Sequence, residues 1–332
     1  MKKIVFDDIH TQDKQQRLKA MMTQVATETR LLPNDNTKLN ACPVCDGKHI
    51  EFYLQQYGYD LDCCRSCQHL FTNPMPSAAQ LDHYYNSDMK AFENDFFSAS
   101  FEQRIPIFSY RIQRIGDYLQ RGRLLDVGSA IGIFVEAMAR SDSALSLECC
   151  EPSRDACQRL SQRYPAMPLH ACWLQDMDAD ASYDAISLWD TLEHIVDIEA
   201  FGATVRRLLK PGGYWFFSTP NTRSLEWSVA GKQHVQLLPP GHVNLFNKDN
   251  IQLYLQRLGF HWVSLETPNG SLDVSYVQKI LGSNPEIDAN MGGFIKHNIQ
   301  SSSFADTLAE LLVKERLGGN MFVVAHRPIH GG

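Results

Sequence analysis

The chain has 332 residues, enough for about two domains or one large domain with an appendage. Its 44% apolar and 21% charged residues suit a globular protein that buries a core, and 31 Lys+Arg against 38 Asp+Glu leave a formal charge of −7. That balance argues against nucleic acid as a partner, since phosphate binding draws on a basic excess. Nine cysteines are too few for a disulfide scaffold. No run reaches the roughly 18 apolar residues of a membrane span, and residues 4–6 are too short for the core of a signal peptide. The chain reads as cytoplasmic, where thiols stay reduced and clustered cysteines point to metal.

The first predicted element is a helix over 11–32, with Leu18, Met21, Met22 and Val25 at helical spacing. Turn chemistry over 33–40 closes an N-terminal helical extension, residues 1–40. A cysteine-rich segment fills 41–76, and Ser77 is an expected N-cap for the helical stretch 77–120. Strands then alternate with helices. Strands are predicted at 123–128, 145–151, 183–189, 214–219, 260–266 and 320–326, and helices at 132–140, 154–163, 199–209 and 249–258. Such alternation predicts βαβ units and a parallel sheet covered by helices on both faces.

Cys42-Pro-Val-Cys45 and Cys64-Arg-Ser-Cys67 are two C-x2-C pairs separated by 18 residues, a zinc-ribbon spacing. Zn²⁺ takes four thiolates tetrahedrally, and a two-residue gap lets one tight turn aim two sulfurs at one ion. Cys63 is set aside because only Cys64 gives the right gap to Cys67. With four sulfurs the site is closed, so the metal is expected to be structural. The alternatives are four unconnected buried cysteines or a redox pair, and the duplication speaks against the redox pair.

Leu124-Leu125-Asp126-Val127-Gly128-Ser129-Ala130-Ile131-Gly132 falls where a strand ends and a helix begins. A Gly-rich turn there lets backbone approach a ligand. It is not the dinucleotide G-x-G-x-x-G, since Ala130 and Ile133 stand where glycines would be needed. An acidic residue just before the first glycine suits a ligand with a positive amine. Glu151, closing the next strand, suits two ribose hydroxyls.

Two further blocks follow: Leu188-Trp189-Asp190-Thr191-Leu192-Glu193-His194-Ile195, and Arg207-Leu208-Leu209-Lys210-Pro211-Gly212-Gly213-Tyr214 leading to Ser218-Thr219-Pro220-Asn221. With these the chain resembles class I S-adenosylmethionine-dependent methyltransferases over about residues 74–265. The cysteine segment, with Tyr84-Tyr85 after it, is similar to the zinc ribbon fused ahead of that fold in bacterial sugar and small-molecule methyltransferases. Ala130 replaces the usual middle glycine of the turn, and Gln68 a common glycine after the last cysteine.

The resemblance implies an α/β fold: a Rossmann-like seven-stranded methyltransferase sheet with helices on both faces, preceded by a small four-cysteine zinc ribbon. It implies a helical linker over 77–120 capping the cleft. The methyltransferase domain would occupy 121–332, with substrate-side inserts at 222–245 and 268–318. S-adenosylmethionine is the implied cofactor. Asp126, Gly128, Ala130 and Gly132 would frame its methionine end and Glu151 its ribose. Pro152 and Cys172-Trp173-Leu174 would flank adenine, while Trp189 and Asp190 line the cleft. Glu193 and His194 would stand at its floor beside the methyl, and a structural Zn²⁺ would sit on Cys42, Cys45, Cys64 and Cys67.

The expected function is methyl transfer to a small polar acceptor, a sugar or secondary-metabolite precursor, with O-, N- and C-methylation all open. A histidine base suits such a reaction near neutral pH. His194 is the first candidate and His242 the second, each with the alternative of ordering its own loop. Glu193 and Tyr84 complete the catalytic candidates, Tyr84 with the alternative of core packing. His234 is a weaker candidate, and Cys149, Cys150 and Cys157 read as small buried hydrophobes. Residues 269–271 and 291–293 are expected hinges. The amphipathic stretch 304–317 is expected as a lid or as the helix of a homodimer. Two other functions compete: an RNA methyltransferase whose ribbon binds nucleic acid, and a non-catalytic scaffold. Against the first, the ribbon holds Lys48 and Arg65 against Asp46, Glu51, Asp60 and Asp62. Against the second, the motif residues are retained.

Overall fold

The computed structural model describes residues 12–268, 274–283 and 291–329. Its main sheet has seven strands in the order β10-β11-β8-β7-β4-β5-β6. These are β4 (Arg121–Val127), β5 (Ala144–Cys150), β6 (Leu169–His170), β7 (Tyr183–Trp189), β8 (Leu209–Pro220), β10 (His261–Glu266) and β11 (Asn320–His326). The expectation of a parallel sheet needs one correction: β11 runs antiparallel to both β8 and β10. The direction of a strand buried on both faces leaves no trace in its hydrophobic pattern. β8 also starts at Leu209, so the Lys-Pro-Gly-Gly segment lies inside the strand, at a register shift against β7.

Alternate residues of the central strands feed two cores, as the period of two requires. Phe216, Phe322 and Val324 face one side, where α4 (Phe101–Gly116) and α5 (Ile133–Ala139) pack through Ile105, Ile112 and Phe134. Phe217, Val323 and Trp215 face the other, against α7 (Ile198–Leu208) and α9 (Asn250–Arg257). The fifth strand's helix, α6 (Arg154–Arg163), packs through Leu160 on Cys149 and Val135.

The cysteine segment forms a second, antiparallel sheet: β1 (Ile50–Gln56), β2 (Tyr59–Cys64), β3 (Leu70–Thr72) and β9 (Asn244–Leu245). β9 comes from the insert expected at 222–245, and it pairs Leu70 with Leu245 and Phe71 with Asn244. Asn247 and Asn250 donate to the Cys67 carbonyl at 3.3 Å, and Arg257 to that of Val44 at 2.8 Å. Cys42, Val44 and Cys64 belong to the same buried cluster as Phe246 and Ile251. The ribbon is therefore welded onto the main domain.

The helical stretch predicted from Ser77 is three helices: α2 (Ala78–Tyr85), α3 (Asp88–Ala99) and α4. Ser77 and Gln80 form a reciprocal capping box at the start of α2. The first helix, α1 (Gln12–Arg30), packs Met22 and Val25 on Tyr84 and Met89. Beyond β8 come α8 (Leu225–Ala230), α10 (Val274–Ser283), α11 (Met291–Asn298) and α12 (Ser302–Lys314). α12 buries Ala305 and Leu312 against α10. No described residue of 274–317 lines the cleft, so the lid expected at 304–317 is corrected to a helix of the insert's own core. The hinge expected at 269–271 lies outside the described residues, and residues 291–293 are the first turn of α11. Among the described residues no helix is long and apolar enough to cross a membrane.

Candidate active site

A cleft of about 1940 Å³ opens beyond the carboxyl ends of β4, β5 and β7. This is the place where open α/β sheets bind ligands, and it exceeds the roughly 300–1,000 Å³ of a single small-ligand pocket. There is room for two molecules.

One half is built on the turn between β4 and α5. Gly128 and Gly132 take φ of +73° and +83°. A Cβ at 128 would come within 2.9 Å of Thr191 Oγ1, and one at 132 within 2.7 Å of Leu160 Cδ2. Both positions therefore require glycine. Ala130 stands at φ +46°, and Gln68 in the ribbon at +59°. The two departures from the family pattern thus carry side chains through left-handed backbone, at a cost of roughly 1–2 kcal/mol each.

Glu151 is pinned at the end of β5: Ala130 N donates to Oε2 at 2.9 Å and Ser153 N to Oε1 at 2.8 Å. Burial raises its pKa. Asp126 is fully buried. Ser187 Oγ donates to its Oδ1 at 2.8 Å, while Oδ2 has no partner. Burial pushes the carboxyl up to about 7. An orphaned carboxylate oxygen here fits a ligand ammonium. Nearby, Arg111 of α4 is 8% exposed, lies 3.4 Å from Asp190 Oδ2 and stacks over Trp189 and Phe108. Its Nη1 is buried without a partner, a donor suited to a carboxylate.

Trp173 is 56% exposed at the rim, beside Leu174 and Pro152, and offers a ring face to a purine. Cys172 does not line the cleft, which corrects its expected place beside adenine. It packs behind the rim, and its carbonyl accepts from the Cys150 thiol at 3.3 Å. Trp189 is wedged between Phe134 and Phe322, with ring centroids at 5.2 and 6.0 Å. Asp190, at φ +50°, accepts from Ser218 Oγ and Asn320 Nδ2.

The other half gathers distant segments. His194 ends the short 3₁₀ turn Leu192–His194, and His242 lies in the loop ahead of β9. Their rings meet edge to face at 4.5 Å. His242 Nδ1 is 2.8 Å from the Gln236 carbonyl. A carbonyl only accepts, so Nδ1 carries the proton and Nε2 keeps its lone pair. Burial lowers both imidazoles, His242 to about 4, so both are neutral at pH 7. Glu193 is buried and accepts from Thr219 Oγ1 at 3.0 Å. Burial and the neighbouring Asp190 hold its carboxyl well above the usual range. One donor atom from each of Glu193, His194 and His242 lies within 4.8 Å of the others.

The tyrosine expected to cap the cleft needs correction. Tyr84 is 2% exposed and sits in the core under α1, outside the cleft lining. Its neighbour Tyr85 lines the cleft and places Oη 3.3 Å from His194 Nδ1. One residue on a helix is a turn of about 100°, and the packing of α1 decides which ring faces inward. His234 also reaches the lining but is packed against Trp227 and Tyr276. Lys90, Arg104 and Arg111 were missed by sequence reading. A base on a helix normally signals a solvated face, and nothing local marks these as inward.

The four cysteines of the two pairs converge. Sγ of Cys42 and Cys67, and Sγ of Cys45 and Cys64, are each 3.6 Å apart, and all four lie within 4.8 Å of one another. A tetrahedron with metal–sulfur bonds of about 2.3 Å has edges of about 3.8 Å, so the quartet fits Zn²⁺. Cys63 turns its thiol toward Gln68 and stays outside. His69 is buried and bonded to Asn244 Oδ1 at 2.9 Å, joining ribbon to loop.

The doubly wound sheet, with its glycine turn and acidic strand ends around one cleft, defines the Rossmann-like class to which S-adenosylmethionine-dependent methyltransferases belong. Residues 101–265 match the family described as a methyltransferase domain, and this part of the chain belongs to it. The chain is similar to the ubiquinone biosynthesis O-methyltransferase of Bordetella avium, 31% identical over 39% of this chain and 57% of the relative. It is also similar to that of Xanthomonas oryzae pv. oryzae, 28% identical over 51% of this chain and 76% of the relative. It thus spans little more than half the length of the first of these. A solved S-adenosylmethionine-dependent methyltransferase from Archaeoglobus fulgidus overlays with a TM-score of 0.46 at 16% identity, covering 70% of this chain and 99% of that one.

Proposed function

We propose that this chain is an S-adenosylmethionine-dependent methyltransferase acting on a hydroxyl of a small polar acceptor, with a neutral histidine as general base. The observation that carries the reading is the two-sided cleft. The Gly128–Gly132 turn, Glu151 and the orphaned Asp126 oxygen face a pair of neutral, perpendicular imidazoles across one cavity. The names of the curated relatives support a hydroxyl as the accepting group.

The cofactor, when bound, supplies an activated methyl on a sulfonium. Asp126 would meet its ammonium, Arg111 its carboxylate, Glu151 its ribose hydroxyls and Trp173 its adenine. The chain's own work is then to align the acceptor and exclude water, worth up to about 7–11 kcal/mol in favourable cases. His242 Nε2, aimed by the Gln236 carbonyl, would take the acceptor proton, and His194, steadied by Tyr85, would orient the hydroxyl. The ribbon, with Zn²⁺ on its four cysteines, would fix the loop that carries His242.

Calorimetry with S-adenosylhomocysteine tests the reading. Saturable binding that weakens in Glu151→Ala is expected, and absence of binding would return the chain to the scaffold class. His194→Ala and His242→Ala are expected to keep that affinity and lose turnover. Unchanged turnover in both would remove histidine from the chemistry.

A further inference from the structure

The cleft holds more positive charge than the reading above uses. α3 and α4 bring Lys90, Arg104 and Arg111 to its wall, and only Arg111 has so far been given a role. Two are compensated: Lys90 is paired with Glu93, and Arg111 with Asp190. Arg104 has no carboxylate partner among the described residues. Its Nε donates to Ser100 Oγ at 3.0 Å, its guanidinium lies over the Phe97 ring at 4.5 Å, and Nη2 is buried with nothing to bond. A buried, unpaired charged donor is costly unless a ligand supplies the missing acceptor.

It lies along the cleft wall from Arg111. Arg104 and Arg111 are seven residues apart on α4, two turns or about 10 Å along one face. Arg111 stands by Trp189 and Asp190, at the amino-acid end of the proposed cofactor site. Arg104 shares its charged neighbours with His242: Asp190 and Glu93 are within electrostatic reach of both. Lys90 lies 5.3 Å over the Tyr85 ring, whose hydroxyl contacts His194. Burial lowers the Arg104 guanidinium to about 10, which leaves it charged at neutral pH and poorly solvated.

We infer that Arg104, backed by Lys90, forms an anion subsite in the acceptor half of the cleft. The acceptor then carries a carboxylate or phosphate group, held by Arg104 while a hydroxyl of the same molecule meets the imidazole pair. This deepens the methyltransferase reading and rests on it. Phe96 and Phe97 fix the orientation of the guanidinium plane, so the unpartnered Nη2 is presented to an anion oxygen in one direction.

The test uses the full chain saturated with S-adenosylhomocysteine, titrated by calorimetry with inorganic phosphate, with benzoate and with uncharged benzamide. Saturable binding of phosphate or benzoate is expected, with benzamide at least about 10-fold weaker than benzoate. Arg104→Gln and Arg104→Met should each weaken anion binding by about 10- to 100-fold, the range of a charge-assisted hydrogen bond. S-adenosylhomocysteine affinity should stay within about twofold in at least one of them. Phosphate alone marks a phosphorylated acceptor, and benzoate alone a carboxylate. The inference is overturned if neither anion binds, if the variants bind anions as wild type does, or if both variants lose S-adenosylhomocysteine together with the anion. Wild type failing to bind S-adenosylhomocysteine at all sinks the methyltransferase reading instead, a distinguishable result.

Discussion

The two halves of the cleft are built in opposite ways. The cofactor half comes largely from consecutive strand–turn–helix units. β4 and its turn supply Asp126 and the glycines, and Glu151 directly follows β5, held by the main-chain N–H groups of Ala130 and Ser153, while Ser187 Oγ of β7 holds Asp126. The acceptor half draws single side chains from five places: Tyr85 from α2, Lys90 from α3, Arg104 from α4, His194 after β7 and His242 from a loop. That loop is tied to the ribbon through β3–β9, through Thr72 N to the Val243 carbonyl at 2.9 Å, and to Glu193 through Val243 N at 2.8 Å. Local covalent structure builds the first half. The whole fold builds the second. Damage far from the chemistry should therefore reach the second half first.

The strongest way to break this contrast is to remove the Zn²⁺ proposed for the four cysteines. Chelation, or Cys64→Ser, is expected to cut turnover by about 100-fold or more, since misplacing a reacting group by about an ångström costs that much. S-adenosylhomocysteine affinity should change less than about threefold. Elemental analysis should first find one zinc per chain, and a parallel fall in cofactor affinity would erase the distinction between the halves. His242→Ala is next, with kcat expected to drop by about 10²–10⁴-fold, the worth of a general base. On the other half, Glu151→Gln should weaken S-adenosylhomocysteine by about 10- to 100-fold while kcat at saturation stays close to wild type.

Titration sharpens the comparison with a smaller effect. Asp126 is raised to about 7 by burial, and a ligand ammonium favours its charged form. S-adenosylhomocysteine should thus bind up to about 10-fold tighter at pH 8 than at pH 6, with a flatter profile in Asp126→Asn. Without ligand the same group works the other way on stability. Its folded pKa is raised, so its contribution is full at low pH and is lost as pH climbs from about 4 through 7. His242 has the opposite sign: lowered to about 4, it stabilises at neutral pH, and that contribution is lost as pH falls from about 6.5 through 4. The smallest expected change is Ala130→Gly, which relieves left-handed strain and should stabilise the fold by about 1 kcal/mol in thermal melts.

Some of this was legible in the chain. The alternation of strands and helices after residue 121 foretold the layered sheet, and the strand ends at 127, 150 and 189 fall within a residue of their expected places. The cysteine spacing foretold the convergence of four sulfurs. What spacing could not carry was direction and facing. β11 is buried on both sides and shows no preference for running up or down. Tyr84 and Tyr85 are interchangeable until α1 covers one of them. Cys172 sits one residue from Trp173, yet its thiol packs behind the rim.

The sequence by itself determined whatever depends on near neighbours: the glycine turn that only small residues can make, the acid at each strand end, and the paired thiols. Tertiary structure alone decided that a ribbon strand would pair with the loop of His242, and that three bases on the helical cap would turn inward. Those outcomes depend on which buried surfaces meet across more than a hundred residues. A hydrophobic pattern says that a face is covered, but leaves open what covers it.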